Sequence, residues 1–144
     1  MSQIIPVGAD HAGFELKSVI IKQLETMGYM PKDYGCYSED SIDYADFGHP
    51  VAEYVESNPG TLGIVICGSG NGINMTVNKH RGIRGALCWK KEIAVLAREH
   101  NDANILTLPA RFITKEEALE MVNAFFTTDF EGGRHKTRID KIPL

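Results

Sequence analysis

The sequence predicts a single-domain α/β protein of the Rossmann-like, three-layer class, with a five-stranded parallel sheet. Strand and helix signals alternate five times along 144 residues, an order typical of parallel strands joined by right-handed crossovers. The run from Leu62 to Cys67 is apolar without alternation, as in a strand covered on both faces. The length suits one domain. We expect the strand order 2-1-3-4-5, followed by a C-terminal helical tail.

Each element has a local signal. In the first helix, apolar residues recur at helical spacing from Leu16 to Met27 and stop at Gly28. In the second strand, Pro31 favours an edge position, because proline cannot donate a ladder hydrogen bond. The predicted strands are 3–8, 29–35, 62–67, 83–88 and 104–108, and the predicted helices are 16–27, 50–55, 73–79, 90–100 and 114–127.

A glycine loop follows the third strand, within the stretch LGIVICGSGNGINM at 62–75. Gly68, Gly70 and Gly72 predict a tight turn whose backbone N–H groups can be approached closely, with a helix from Ile73 onward. Such a turn is a candidate cradle for an anion or an oxyanion, with the thiol of Cys67 at its rim. The alternative is a small buried cysteine before an ordinary turn.

Familiar phosphate and redox motifs do not fit this loop. The dinucleotide-binding fingerprint needs a glycine at the position of Ile73, and the cysteine phosphatase loop needs an arginine there. The Walker pattern lacks its Gly-Lys-Ser/Thr, and a redox pair would need a second cysteine in place of Gly70. What remains is a thiol beside a loop of N–H donors.

Polar residues follow other predicted strands as well. Asp10 and His11 come after the first strand, and Arg111 comes after the fifth. Ligands of parallel sheets bind beyond the carboxyl ends of the strands, so we expect these residues to share one rim with Cys67. Helix capping by Asp10 is the alternative for that residue.

Two further segments carry candidate site residues. His100 and Asn101 end a predicted helix, where an imidazole complements the helix dipole or transfers protons. In the tail, Arg134 and Arg138 are four residues apart and would share one face of a short helix. They form either solvated basic surface or a pair of guanidiniums for a phosphate.

Composition argues against several classes of partner. A net charge of −4 and a pI near 5.7 disfavour a nucleic-acid surface. No apolar run approaches the roughly 18 residues of a membrane helix, and strand-like sequence from Gln3 leaves no room for a signal peptide. Cys36, Cys67 and Cys88 are widely spaced and odd in number, which favours reduced thiols. We expect a cytoplasmic protein with neither nucleic-acid nor membrane partners.

Taken together, the motifs match a known family. In order, they are G-A-D-H-A-G-F at 8–14, D-Y at 43–44, C-G-S-G-N-G at 67–72, N-K at 78–79, G-I-R at 82–84, H-N-D at 100–102, A-R at 110–111, and E-G-G-R-H with a further arginine at 131–138. The chain resembles, end to end, the type B ribose-5-phosphate isomerases, within the wider family that also holds galactose-6-phosphate isomerase subunits.

The resemblance implies an aldose–ketose isomerase that interconverts D-ribose 5-phosphate and D-ribulose 5-phosphate through a cis-enediolate. It implies a step of the pentose phosphate pathway that needs neither metal nor cofactor. The isomerisation of a six-carbon sugar phosphate, such as allose or galactose 6-phosphate, is the closest alternative. A non-catalytic phosphosugar-binding domain is the other, because fold alone does not settle function.

The resemblance also implies a role for each candidate residue. Cys67 would be the base, and the loop of Gly68, Ser69, Gly70, Asn71 and Gly72 would hold the oxyanion. His100 would assist opening of the sugar ring, with Asp10 as a second proton-handling group. The phosphate would be bound by His11, Arg111, Arg134 and Arg138, and the sugar hydroxyls by Tyr44 and Asn101.

Relatives form dimers, and the resemblance implies a homodimer with shared active sites, or a tetramer. In such a dimer His100, Asn101 and Arg111 would reach the site of the neighbouring subunit. The sequence departs from the family at a few positions. Ala45 replaces a frequent proline beside Tyr44, and Pro109 replaces a frequent glycine near Arg111.

Overall fold

The computed structural model describes residues 3–144, in which strands and helices alternate as the sequence predicts. The strands are β1 (Ile4–Ala9), β2 (Met30–Asp33), β3 (Gly63–Cys67), β4 (Gly85–Leu87) and β5 (Ile105–Pro109). The helices are α1 (Phe14–Thr26), α2 (Ala45–Ser57), α3 (Asn71–Val77), α4 (Lys91–Asn101), α5 (Lys115–Thr127) and α6 (Arg134–Ile139). The last of these is the predicted helical tail.

All strand pairs of the five-stranded sheet are parallel, in the order β2-β1-β3-β5-β4. The predicted order 2-1-3-4-5 was therefore wrong at one edge. Every residue of β5 is buried, which requires a neighbouring strand on each side, whereas β4 has only three half-buried residues and lies at the edge. The strand order reverses between β1 and β3, so the Asp10 loop and the glycine loop meet at the switch point.

The core lies on both faces of the sheet. On one face, α1, α4 and α5 bury residues such as Leu24, Ala94 and Phe125. On the other face, α2 and α3 bury a second cluster around Val51 and Ile73, to which Cys67 belongs. The predicted three-layer arrangement is confirmed, and Cys67 lies under α2 and α3.

The second helix is longer than predicted. It runs from Ala45 to Ser57 and has Pro50 in its interior, whereas the predicted range was 50–55. The additional turn places Tyr44 at the start of the helix, next to the glycine loop. No helix within residues 3–144 combines the length and the apolar character needed to cross a membrane.

Candidate active site

The glycine loop joins the end of β3 to the start of α3. Gly70 has φ +80°, in the left-handed region, and a Cβ atom there would lie 2.4 Å from Cδ1 of Leu87. The positive φ favours glycine at this position, and an added Cβ would also displace the end of the Leu87 side chain. The N–H of Asn71 donates to Oγ of Ser69 at 3.2 Å, which fixes the Ser69 hydroxyl at the start of α3.

Cys67 lies beneath this loop, with 4% of its surface exposed. Burial raises the pKa of its thiol, and the nearby charge of Asp10 raises it further. The backbone N–H groups of Ile73, Gly70 and Gly72, at the start of α3, oppose that rise in pKa. Desolvation outweighs this opposing effect, and the resting side chain is a thiol at neutral pH.

Asp10 and His11 lie at the end of β1. Oδ1 of Asp10 accepts hydrogen bonds from the N–H groups of Ala12 and Gly13 at 2.9 and 3.3 Å, so the capping interpretation is correct for this side chain. Asp10 is also buried, and its negative charge raises the pKa of Cys67. Nδ1 of His11 accepts from the N–H of Ile42 at 3.2 Å, which leaves Nε2 as the donor of a neutral ring.

Tyr44 packs on the glycine loop from the side of α2. A Cβ atom on Gly72 would lie 2.4 Å from Cζ of Tyr44, so the ring needs glycine beneath it. Tyr44 remains partly exposed above this contact. The D-Y motif and the C-G-S-G-N-G motif are therefore adjacent in space, although the chain separates them widely.

Arg111 lies against the glycine loop of its own chain. Its N–H donates to the carbonyl oxygen of Gly68 at 3.0 Å, and its Nη1 lies 3.3 Å from where a Gly68 Cβ would be. The resemblance implies that Arg111 reaches the site of a neighbouring subunit, and that stays a prediction. The single-rim prediction is confirmed for Asp10, His11, the glycine loop and Arg111.

A cavity of about 320 Å³ opens beside Arg111 and is lined by His11, Ala12, Glu15, Glu39 and Arg111. The carboxylate of Glu15 raises the pKa of Glu39, because it can accept a hydrogen bond from the protonated Glu39 and because its negative charge disfavours a second one. Sequence reasoning missed these two carboxyl groups, because neither belongs to a motif. They bring negative charge close to the expected phosphate ligands.

The remaining candidates lie at the other edge of the sheet. His100 and Asn101 end α4, just before β5 begins, and Nε of Arg84 donates to the carbonyl oxygen of Asn101 near the start of β4. A five-residue strand is about 16 Å long, so roughly that distance separates them from the loop of Cys67. Arg134 and Arg138 lie on α6, which packs against α4.

His100 instead contacts the tail of its own chain. Its ring stacks on that of His135 with 4.3 Å between the centroids, and its Nε2 lies 3.7 Å from Oε1 of Glu131. Sequence reasoning did not assign a role to His135 or Glu131. Their spacing of four residues within E-G-G-R-H, one helical turn, was the available signal.

The fold and the site define an α/β protein with a thiol, N–H donors and a histidine–arginine cavity at the switch point of a parallel sheet. This arrangement suits a small anionic substrate that undergoes proton transfer. Residues 5–142 match the family model described as Ribose/Galactose Isomerase. The chain belongs to the ribose/galactose isomerase family.

Its relatives span nearly the whole chain. It is 43% identical to the probable ribose-5-phosphate isomerase B of Mycoplasma pneumoniae, over 99% of this chain and 94% of that protein. Among solved structures, ribose 5-phosphate isomerase of Thermotoga maritima has a TM-score of 0.95 at 45% identity and 99% coverage of both chains. Ribose-5-phosphate isomerase B of Mycoplasma genitalium, solved with bound ribulose-5-phosphate, has a TM-score of 0.95 at 43% identity, covering 99% of this chain and 95% of that one.

Proposed function

We propose that this protein interconverts D-ribose 5-phosphate and D-ribulose 5-phosphate, with Cys67 as the base. The observation that carries the proposal is the position of Cys67, which ends β3 directly before the glycine loop and the start of α3. Solved ribose-5-phosphate isomerases of the family have the same fold, and the one from Mycoplasma genitalium was solved with ribulose-5-phosphate bound. Membership of the family supports the isomerase class.

The chemistry requires a base and an oxyanion site side by side. The Cys67 thiolate takes the proton from C2 of the open-chain aldose, and the electron pair forms the C1–C2 double bond of the enediolate. The negative charge moves to O1, where each well-placed N–H donor lowers the barrier by about 3 to 4 kcal/mol. The thiol then returns the proton to C1, while a proton moves from the hydroxyl on C2 to O1.

The remaining residues of the carboxyl edge support this transfer. Asp10 is buried next to Cys67 and is placed to accept a hydroxyl proton from the substrate. The Ser69 hydroxyl and the backbone of Gly68 and Asn71 complete the loop around the oxyanion. His11 and Arg111 line one cavity and would bind the phosphate there, while Tyr44 would contact a sugar hydroxyl.

A second chain would complete the site. We assign ring opening to His100, a hydroxyl contact to Asn101 and additional phosphate contacts to Arg134 and Arg138. All four lie about one strand length from Cys67 of their own chain. These residues can reach the carboxyl edge only from another subunit. The proposal therefore includes a homodimer, and a tetramer would consist of two such dimers.

The surface of α4 supports this arrangement. Ile93 and Leu96 are exposed apolar residues on the same face of α4 as His100. Trp89 and Phe112 are exposed at the carboxyl edge, with ring centroids 5.2 Å apart. Two antiparallel α4 helices, each about 16 Å long, would place His100 of one chain at the carboxyl edge of the other.

Mixing two inactive variants tests the shared site. Cys67→Ala and His100→Asn should each have very low activity alone. In a heterodimer, one site carries both substitutions and the other carries neither, so random subunit exchange should restore about a quarter of the wild-type sites. The measurement is the rate of ribulose 5-phosphate formation after mixing and exchange. A mixture as inactive as its components would place His100 and Cys67 of one chain in the same site.

The function itself is tested by adding ribose 5-phosphate to metal-free protein and following ribulose 5-phosphate. Turnover is expected, with a higher kcat/KM than for allose or galactose 6-phosphate. The reverse ranking would make this a six-carbon isomerase, and binding without turnover would indicate a phosphosugar-binding domain.

Since burial raises the pKa of Cys67, the thiolate fraction should rise about tenfold per pH unit through neutrality, and kcat/KM with it. A flat profile from about pH 6 to pH 9 would contradict a buried thiol as the base.

A further inference from the structure

A second group of reactive side chains lies at the amino edge of the sheet. Nε2 of His135 lies 3.4 Å and Nε2 of His100 lies 3.7 Å from the same oxygen, Oε1 of Glu131. The ligand atoms of the three residues all lie within 4.8 Å of one another. Within residues 3–144, this is the one group of three or more histidine, cysteine or acidic side chains with such spacing.

The backbone holds the group together. The N–H of Glu131 donates to the carbonyl oxygen of Glu99 at 3.0 Å, which ties the tail to the end of α4. The imidazole of His135 is 9% exposed, so packing fixes it, and the ring of His100 stacks on it at an angle of 14°. The side chains of His100 and Glu131 are 40% and 51% exposed and have room to adjust.

Two imidazoles and one carboxylate are a typical ligand set for zinc. Zinc binds histidine nitrogen and carboxylate oxygen at about 2.0 to 2.2 Å, and it leaves the fourth position to water or another ligand in such three-ligand sites. Tetrahedral ligands at those bond lengths lie about 3.3 Å from each other. The two separations from Oε1 of Glu131, 3.4 and 3.7 Å, are close to that value. Because stacked rings direct their in-plane lone pairs side by side, the exposed ring of His100 must rotate out of the stack for both Nε2 atoms to reach one ion. Magnesium and calcium prefer oxygen ligands and fit this group poorly.

We infer that His100, Glu131 and His135 form a binding site for zinc or a similar divalent transition metal, and that the bound metal inhibits the enzyme. The inhibitory part rests on the proposed function, because a metal on Nε2 of His100 would remove the group assigned to sugar ring opening. The metal is not required for isomerisation. Metal binding and sugar ring opening both need Nε2 of His100, so the bound metal prevents the second.

Titration calorimetry of the chelator-treated full chain with zinc chloride tests the site without using activity. We expect one zinc ion per chain. Removal of a residue that only supports a metal ligand typically weakens metal affinity by about 10- to 100-fold. Glu131→Gln and His135→Asn each remove a ligand and should weaken zinc binding by at least that factor. Because His135 is buried and its variant could fail to fold, Glu131→Gln, at a half-exposed position, is the decisive variant.

His49 and His80 provide the matched control. Nδ1 of His49 lies 2.7 Å from Nε2 of His80, in another part of the fold. His49→Asn should therefore bind zinc as the wild type does. Absence of saturable binding to the wild type, unchanged binding to Glu131→Gln, or lost binding to His49→Asn would each overturn the site.

The inhibitory part has a separate readout. Zinc should inhibit ribose 5-phosphate turnover with a midpoint equal to the calorimetric Kd, and the midpoint should shift by the same factor in Glu131→Gln. Magnesium chloride should not inhibit. An unshifted midpoint would place the inhibitory metal elsewhere, for example on the Cys67 thiol, and would overturn this part. If the wild type does not turn over ribose 5-phosphate, the proposed function fails, while calorimetry still decides the metal site.

Discussion

Replacing Cys67 with alanine should lower kcat by at least a hundred- to ten-thousand-fold, the contribution typical of a positioned base. Affinity for ribose 5-phosphate should change little, because the proposed phosphate and hydroxyl contacts do not involve the sulfur. The backbone N–H groups of the glycine loop, which we assign to the oxyanion, are unchanged by the substitution. Steady-state kinetics gives kcat of the variant, and titration calorimetry with ribose 5-phosphate gives its affinity.

Cys88→Ala is the matched control for this variant. Burial raises the pKa of Cys88 to about 12, and its side chain is fully enclosed in the core on the other face of the sheet. The loss of a buried thiol should lower the free energy of unfolding in both variants, but only Cys67→Ala should lose turnover. Wild-type kcat in Cys67→Ala would remove this residue from the role of base, and equal loss in both variants would indicate a structural effect.

Gly70→Ala should also abolish most of the activity, by a route that leaves the thiol in place. A side chain at φ +80° costs about 1 to 2 kcal/mol, and the new Cβ would lie 2.4 Å from Cδ1 of Leu87. The Leu87 side chain can move away from the new Cβ, but only a change in the loop backbone relieves the unfavourable φ, and that change moves the N–H groups away from the oxyanion. The loss of one such donor typically lowers kcat by about 100- to 1,000-fold.

Gly60→Ala separates the backbone cost from the effect on the loop. Gly60 has φ +90°, and nothing lies within 4 Å of where its Cβ would be. Gly60→Ala should therefore lose about 1 to 2 kcal/mol of stability in urea unfolding and Gly70→Ala at least as much, but Gly60→Ala should keep its kcat. If Gly70→Ala retained wild-type kcat, the position of the loop would not matter for the reaction, and the oxyanion assignment would be wrong.

The sequence predicted the elements that depend on neighbouring residues. Buried strands such as β3 appear as unbroken apolar runs, and α1 appears as a stripe at helical spacing, so both were found within a few residues. The boundary error at Pro50 has a local origin too, because proline is more frequent at a helix start than inside a helix. The glycine loop and the residues after β1 and β5 were placed on one rim by the rule for parallel sheets.

Long-range packing decided the rest. The order of β4 and β5 depends on which strand is covered on both sides, and the pattern of a three-residue strand carries little of that information. The direction of the pKa shift of Cys67 is set by how deeply α2 and α3 bury it, which the order of residues around the sulfur does not specify.

The amino acid sequence by itself determined the fold class, the loop of N–H donors and the thiol beside it, since these follow from residues close together in the chain. The tertiary structure alone decided that His100 and the tail arginines lie a strand length from that thiol, and that His100 meets Glu131 and His135. The physical reason is that distances between remote segments depend on how whole helices pack on the sheet, which no local pattern of residues records.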